Sequence, residues 1–432
     1  MLTAKYFRDH LTEIRESLKG RNSDYPVDEI LDLDRTSREL KTRLQELQAQ
    51  RNKASLSISE MKKAGREIDE SVASLKAIKE EIETIESELP SYEERLHALL
   101  WGLPNTLHQS VPIGDPPEAN KVLHKWGSPT KSGGKNHEEI LSALGMLDME
   151  RAANTAGARF YYLRGDLVLL EQALLMFALT ELSRKGFVPI LPPFMLRKRY
   201  YEGVAPLAVF QDALYKATEA KEVAILQDYE KLEDELYMIS TSEHALAAMH
   251  SGEVFSAKDL PLKYAGISPC FRREAGAHGK DTKGIFRVHQ FDKVEQFVYC
   301  RREDDDRYFD ELLANSEELL QRLGLPYQAV LLCSGDTGHQ MSRTVDLEAW
   351  FPSQQGYREL VSCSSASDWQ SLRLDVKYDE GNERKHVFTL NSTGISVERT
   401  LVALVENYLE SDGTITVPRV LVPFVGKERI GE

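Results

Sequence analysis

From residue 30 to residue 61 the chain repeats with alternating steps of three and four: Ile30, Leu33, Ser37, Leu40, Leu44, Leu47, Arg51, Ala54, Ile58 and Met61. This is a coiled-coil seam with polar interruptions at Ser37 and Arg51. A second seam keeps the same steps through Leu75, Ile78, Ile82, Ile85, Leu89, Tyr92, Leu96, Leu99 and Leu103. Gly65 lies between the two and supplies a turn. The pattern predicts an antiparallel helical hairpin, each helix about 35 residues and on the order of 50 Å long at ~1.5 Å per residue. Pro90 falls inside the second seam, where a missing N–H and a bulky ring are expected to kink or interrupt the helix.

The period then stops. Residues 104–135 are rich in Pro, Gly, Ser and charge, and read as a linker that wraps the following domain. From 136 onward, helical periods near Leu141–Ala156 and Gly165–Arg184 alternate with short β-rich runs. These runs are Val188–Leu191, Leu236–Ile239, Phe286–Val288, Val294–Cys300, Ala329–Cys333, Tyr357–Ser362, His386–Leu390 and Ile415–Val417. Many strands without a regular βαβ repeat predict an α+β fold on a mainly antiparallel sheet with flanking helices. The expected division is an arm at 1–104, a linker at 105–135 and a larger domain at 136–432.

At 432 residues, two or three domains are expected. A hydrophobic fraction of 41% and a charged fraction of 28% fit a soluble globular chain. The longest apolar stretch, Leu167–Leu179, is broken by Glu171 and Gln172 and is too short for a membrane span, so no membrane partner is expected. The first twenty residues carry both signs of charge and no apolar centre, which argues against a leader and for a cytoplasmic protein. Cys270, Cys300, Cys333 and Cys363 stand 30 or more residues apart, so no zinc site and no disulfide framework are expected.

The net charge of −15 argues against a protein that coats nucleic acid nonspecifically, but it is unevenly spread. Arg35 to Ala64 holds eight Lys/Arg and three acids, whereas Gly65 to Leu100 holds four against ten. One helix of the hairpin is basic. Its cations suit either ion pairs across a solvated coiled coil or a stripe for nucleic-acid phosphates, and the hairpin's shape suits a dimerisation arm equally well.

No P-loop, HExxH, kinase set or G-x-S-x-G elbow is present. The densest polar run is Phe271–Phe297, with Arg272 and Glu274 at its start. A basic loop follows (Gly276, Gly279, Lys280, Lys283, Gly284), and Arg287, Phe291 and Glu295 close the run at even spacing on one expected strand face. Arginines at both ends of a strand–loop–strand suit a bent triphosphate, because the guanidinium is a planar, permanent fork for phosphate oxygens. In Tyr357–Asp368, Glu359 and Ser362 offer oxygen ligands for Mg²⁺. In Asn391–Tyr408, small residues lead into a helix with Arg399 near its start. Each of these runs taken alone also fits an ordinary surface hairpin, core strand or capped helix.

Together, and in this order, they resemble class II aminoacyl-tRNA synthetases, and seryl-tRNA synthetases in particular. GFVPILPP (Gly186–Pro193) looks like motif 1, Phe271–Phe297 like motif 2, and NSTGISVERT like motif 3. YMISTSEHAL resembles the family's TxE serine loop, and the N-terminal hairpin and the linker match as well. HGKDTKGIFRVHQFDKVEQF and TITVPRVLVPF look more like archaeal or eukaryotic members than bacterial ones.

The resemblance implies a class II catalytic domain behind a tRNA-binding arm. It also implies a serine–tRNA ligase that makes seryl-adenylate from L-serine and ATP with Mg²⁺. The seryl group would pass to the 3′ end of tRNA(Ser), and to tRNA(Sec) where that tRNA exists. By resemblance Arg272, Glu359 and Arg399 are the catalytic residues. ATP would be bound by these with Arg273, Glu274, Arg287, Val288, Phe291, Leu360, Val361 and Ser362, the adenine lying between Phe291 and Arg399. Serine would be bound by Thr241, Ser242, Glu243, Arg272, Glu295, Asn391 and Thr393, and Mg²⁺ by Glu359 and Ser362. Arg35, Arg38, Lys41, Arg43, Arg51 and Lys53 would meet tRNA phosphates, and motif 1 would build a homodimer. Ser365, Leu372 and Glu398 depart from the family pattern, which leaves open a paralogue that kept the fold and arm but lost aminoacylation.

Overall fold

The computed structural model describes residues 3–207, 211–218, 235–274 and 283–432. They form two compact units, Leu2–Pro104 and Asn105–Glu432. Gly276, Gly279 and Lys280 of the basic loop lie outside the described residues.

In the first unit two long helices, α1 (Val27–Lys63) and α2 (Asp69–Trp101), pack side by side. Every position of both seams is buried or half-buried, and Leu47, Ile82 and Ile85 form the tightest cluster. Gly65 takes the left-handed conformation (φ 65°) that ends α1, where a side chain would be strained. The helix assignment of α2 continues through Pro90, so the expected interruption does not occur. Packing of the seam on either side outweighs the single backbone hydrogen bond that proline removes. Two shorter helices, Ala4–Asp9 and Leu11–Gly20, precede the pair.

The second unit is built on eight strands: β1 (Lys121–Trp126), β2 (Val188–Ile190), β3 (Leu262–Phe271), β4 (Gln290–Cys300), β5 (Tyr327–Leu331), β6 (Arg343–Phe351), β7 (Gly356–Ser367) and β8 (Phe388–Ser396). Their order is β1-β5-β6-β7-β8-β4-β3-β2. Every pairing is antiparallel except β2 with β3. The main helices are α3 (Asp166–Arg184), α4 (Ser242–Ala248), α5 (Asp305–Arg322) and α6 (Val397–Tyr408). Apolar side chains of α3, α5 and α6 join alternate residues of the central strands in one large core.

Some local expectations change. The linker contributes β1, whose residues are nearly all exposed and so show no buried face in the sequence. Phe286–Val288 is an irregular, bent segment rather than strand, with all but Arg287 buried. The period at Leu141–Ala156 splits into helices His137–Ala143 and Met149–Ala156. No helix among the described residues is long and apolar enough to cross a membrane.

Candidate active site

A cavity of about 290 Å³ opens over β4, β7 and β8. Successive strand side chains point to opposite faces, so each strand serves both core and cavity. On β4, Phe291, Lys293 and Glu295 line the cavity while Val294 and Val298 enter the core. On β7, Leu360, Ser362 and Ser364 line it, and Val361 and Cys363 face the core. Val361 therefore lies behind the wall it was expected to form.

The floor is acidic and dry. Glu295 stands opposite Thr393 in the β4–β8 ladder, and Phe297 opposite Asn391. Glu295 is 1% exposed and pairs with Lys293, itself 6% exposed, at 2.5 Å. Thr241 caps α4 by accepting the Glu243 N–H at 3.2 Å. α4 sits tightly on β3 because Gly266 has no side chain; a Cβ there would lie 2.7 Å from Ser242 Oγ. Ser242 is consequently packed against the strand, donating to Gly266 O at 3.3 Å, and does not line the cavity. Gln370 Nε2 donates to Glu243 Oε1 at 2.9 Å, and Thr389 Oγ1 donates to Gln370 Oε1 at 2.7 Å. Burial, and after it the neighbouring Glu295, pushes the Glu243 carboxyl up to about 7. Burial also raises Glu295, against the pull of Lys293.

The upper wall is cationic. The Arg272 N–H donates to His289 O at 2.9 Å, the His289 ring Nδ1 lies 2.8 Å from Arg272 O, and the Arg272 guanidinium lies 5.1 Å from the Phe291 ring centre. Arg287 donates to Glu274 at 2.8 Å, and Glu274 holds a left-handed backbone (φ 50°) rare for a residue with a side chain. Arg399 Nη1 lies 3.1 Å from Glu359 O and 3.2 Å from its carboxylate, and the guanidinium sits 5.1 Å from the Phe286 ring centre. Desolvation opposes ionisation of Glu359, yet Arg399, Arg272 and Arg287 together hold its carboxyl below the usual range.

Of the sequence-derived residues, Thr241, Glu243, Arg272, Glu274, Arg287, Val288, Phe291, Glu295, Glu359, Leu360, Ser362, Asn391, Thr393 and Arg399 share this one cavity. Arg273 does not line it; its N–H bonds to Ala213 O. Lys293, Gln340, Met341 and Glu398 line the cavity without having been picked out as site residues. Lys293 was legible, two residues before Glu295 on the same strand face. Gln370, which orients Glu243 from a separate helix, carried no local signal. Asp346 stands opposite Ser362 in the β6–β7 ladder, its buried Oδ1 without a protein hydrogen-bond partner.

In the helical unit the six candidate cations divide. Arg35 pairs with Asp32, Arg38 with Asp34, Lys41 with Glu93 and Arg43 with Glu81. Arg51 contacts only the Asn52 amide, and Lys53 forms no ion pair among the described residues.

Residues 1–107 match the seryl-tRNA synthetase N-terminal domain, and residues 223–408 match the tRNA synthetase class II core domain (G, H, P, S and T). A serine–tRNA ligase of Cenarchaeum symbiosum is 43% identical over the whole of both chains. The chain belongs to the seryl-tRNA synthetase family. The seryl-tRNA synthetase of Pyrococcus horikoshii, solved with ATP, superposes with a TM-score of 0.90 at 39% identity, covering 100% of this chain and 99% of that one. The cytoplasmic serine–tRNA ligase of Naegleria fowleri, solved with AMP, gives 0.85 at 36% identity over 100% and 98%. These relatives are archaeal and eukaryotic, in keeping with the flavour of the loop and C-terminal sequence.

Proposed function

We propose that this chain is an ATP-dependent serine–tRNA ligase whose Asn105–Glu432 unit activates L-serine and whose basic helix α1 takes tRNA(Ser). The supporting observation is the pairing, in one cavity, of an arginine wall (Arg272, Arg287, Arg399) with a buried acidic floor (Glu243, Glu295). A nucleotide triphosphate and a small zwitterion together have the complementary charges.

Serine's carboxylate attacks the α-phosphorus in line and displaces pyrophosphate, giving seryl-adenylate. The terminal ribose hydroxyl of the tRNA then attacks the acyl carbon and releases AMP. Neither step needs a protein nucleophile, so positioning and charge stabilisation do the work. Arg272 bridges the serine carboxylate and the α-phosphate and neutralises charge on the five-coordinate phosphorus. Arg287 holds the outer phosphates. Phe291 and Arg399 flank the adenine, Glu274 meets its edge, and Val288 and Leu360 supply apolar wall. Glu359 and Ser362 are the oxygen donors that would hold Mg²⁺, and Asp346 stands opposite Ser362 in the β6–β7 ladder. Bound there, Mg²⁺ would neutralise the leaving pyrophosphate.

Glu243 and Glu295 take the serine ammonium and hydroxyl, with Thr241, Asn391 and Thr393 completing the pocket. Alanine would leave buried polar groups unpaired, which costs more than a lost methylene. ATP–pyrophosphate exchange driven by serine, but not by alanine or threonine, is the expected result; exchange with all three equally would contradict the pocket. We also infer a homodimer through the motif 1 segment, where Val188, Leu191 and Met195 stand exposed on and beside edge strand β2. Light scattering should give about twice the chain mass of 49.0 kDa, and a clean monomer that activates serine would contradict it.

A further inference from the structure

Glu398 stands immediately before Arg399 in the first turn of α6, where the family pattern has small or neutral residues. It is 1% exposed. Its carboxyl accepts the Asp292 N–H with both oxygens, at 3.1 and 3.0 Å, and receives the Tyr161 hydroxyl. The β4–β8 ladder begins one residue later, at Lys293 opposite Ser396. Asp292 therefore has no strand carbonyl facing it, and the Glu398 carboxyl stands in for one. Asp292 follows Phe291, so this one side chain links the flank of Phe291 to the flank of Arg399.

We propose that Glu398 is a positioning residue for the nucleotide site, fixing Phe291 and Arg399 relative to each other by bracing β4 against the first turn of α6. The proposal rests on the ATP reading of the cavity. Without the brace, the backbone at this end of β4 pairs with β3 alone, and the half-buried Asp292 N–H loses its partner. The serine floor lies further along β4, inside the ladder, and is held independently.

The brace is also tied to protons. Glu171 on α3 hydrogen-bonds the Asp292 carboxyl, so α3, β4 and α6 each send one carboxyl to the cluster, and Tyr161 sends a phenol. Arg399, the cation next in sequence, is engaged by Glu359. Burial, and after it the nearby Asp292, pushes Glu171 up to about 7; burial raises Asp292, and burial with both neighbours takes Glu398 well above the usual range. Two carboxyls can hydrogen-bond each other only while one of them keeps a proton, so the Glu171–Asp292 contact is present at low pH and lost as pH climbs through the raised Glu171 value, whereas Glu398, which accepts its three bonds, needs no proton. Rising pH should therefore loosen the brace through repulsion among the three.

The test measures KM for ATP and for serine in pyrophosphate exchange with the full chain, over a pH range that brackets the Glu171 value of about 7. Losing the hydrogen bonds of a buried carboxyl, Glu398→Ala should raise the ATP KM about tenfold and leave the serine KM within about twofold. Glu398→Gln keeps an amide oxygen for the Asp292 N–H. It should restore the ATP KM to within about threefold and flatten its rise with pH. Glu171→Gln leaves the Glu398 contacts in place, so it stays informative if the alanine variant fails to fold, and it should flatten the rise with pH by removing the group that titrates at about 7. An unchanged ATP KM in Glu398→Ala, equal rises for both substrates, or a Glu171→Gln profile identical to wild type would each overturn the proposal. Wild-type protein without serine-dependent exchange would instead overturn the ATP reading itself, and the proposal with it.

Discussion

The helical arm and the cavity over the sheet handle charge in opposite ways. On the arm, Arg43 and Glu81 meet across two helices with both side chains about half exposed, at 46% and 45%. Water screens such a pair, so it breaks readily when a phosphate offers a better partner. In the cavity, Lys293 and Glu295 meet with side chains 8% and 2% exposed. Desolvation there makes each partner dependent on the other. The arm is suited to exchange partners, and the cavity to hold one arrangement for a ligand that completes it.

This contrast fixes the order of expected effects. Arg272→Ala should be the most damaging single change, lowering the rate of serine-dependent exchange by about 10²–10³-fold, as loss of one transition-state charge donor does. A fall of less than tenfold would move that role to Arg287 or Arg399. Next comes Glu295→Ala. Removing one member of a desolvated charged contact costs about 2–5 kcal/mol, so serine kcat/KM should drop roughly 30-fold or more. The ATP KM should stay within about threefold, since the nucleotide contacts lie elsewhere. Serine activation within about threefold of wild type would leave Glu295 as the partner of Lys293 alone.

A smaller effect follows pH. Glu243, raised to about 7, must be ionised to hold an ammonium. Serine kcat/KM should therefore climb as pH passes upward through about 7, and Glu243→Gln should give a flat and lower profile. A wild-type profile already flat from pH 6 to about 8 would remove the ammonium from Glu243. Smallest are the arm cations. Replacing Arg51 and Lys53 together, which have no carboxylate partner among the described residues, should weaken tRNA charging by about five- to tenfold and reduce the salt slope by about two. Arg43→Ala, whose cation is already engaged by Glu81, should change charging by about twofold or less. The reverse ranking would mean that the intra-arm pairs are the tRNA contacts.

How far each region could be read from its residues follows the same division. The arm was legible because its stabilising contacts repeat every three or four residues in one stretch. Even its interruptions at Ser37 and Arg51 sit on the seam. At Pro90 the expected interruption fails because packing along α2 outweighs a local rule. In the catalytic unit, β4 was visible through the run Val294–Cys300. By contrast β3 hides behind Gly266 and Pro269, and β6 behind Asp346 and Glu348, whose side chains face away from the core. The cavity residues were recognised through motif resemblance rather than periodicity. It named Val361 and Ser242 along with their neighbours because a motif runs along the chain whereas a cavity takes alternate residues. Gln370 and Glu398 act through contacts with distant elements, so only the assembled sheet reveals them. The departures at Ser365 and Leu372 are absorbed locally. Ser365 donates to Asp305 at 2.6 Å and Leu372 is buried, so neither touches the cavity.

The central claim is that activation belongs to the Asn105–Glu432 unit and tRNA recognition to the arm. The direct measurement replaces residues 35–95 with a short turn and compares serine-dependent pyrophosphate exchange with tRNA(Ser) charging in the same preparation. Exchange should stay within about twofold of the full chain and charging should fall by about a hundredfold or more, because the phosphate contacts that dominate nucleic-acid affinity are gone. Equal loss of both activities would contradict it.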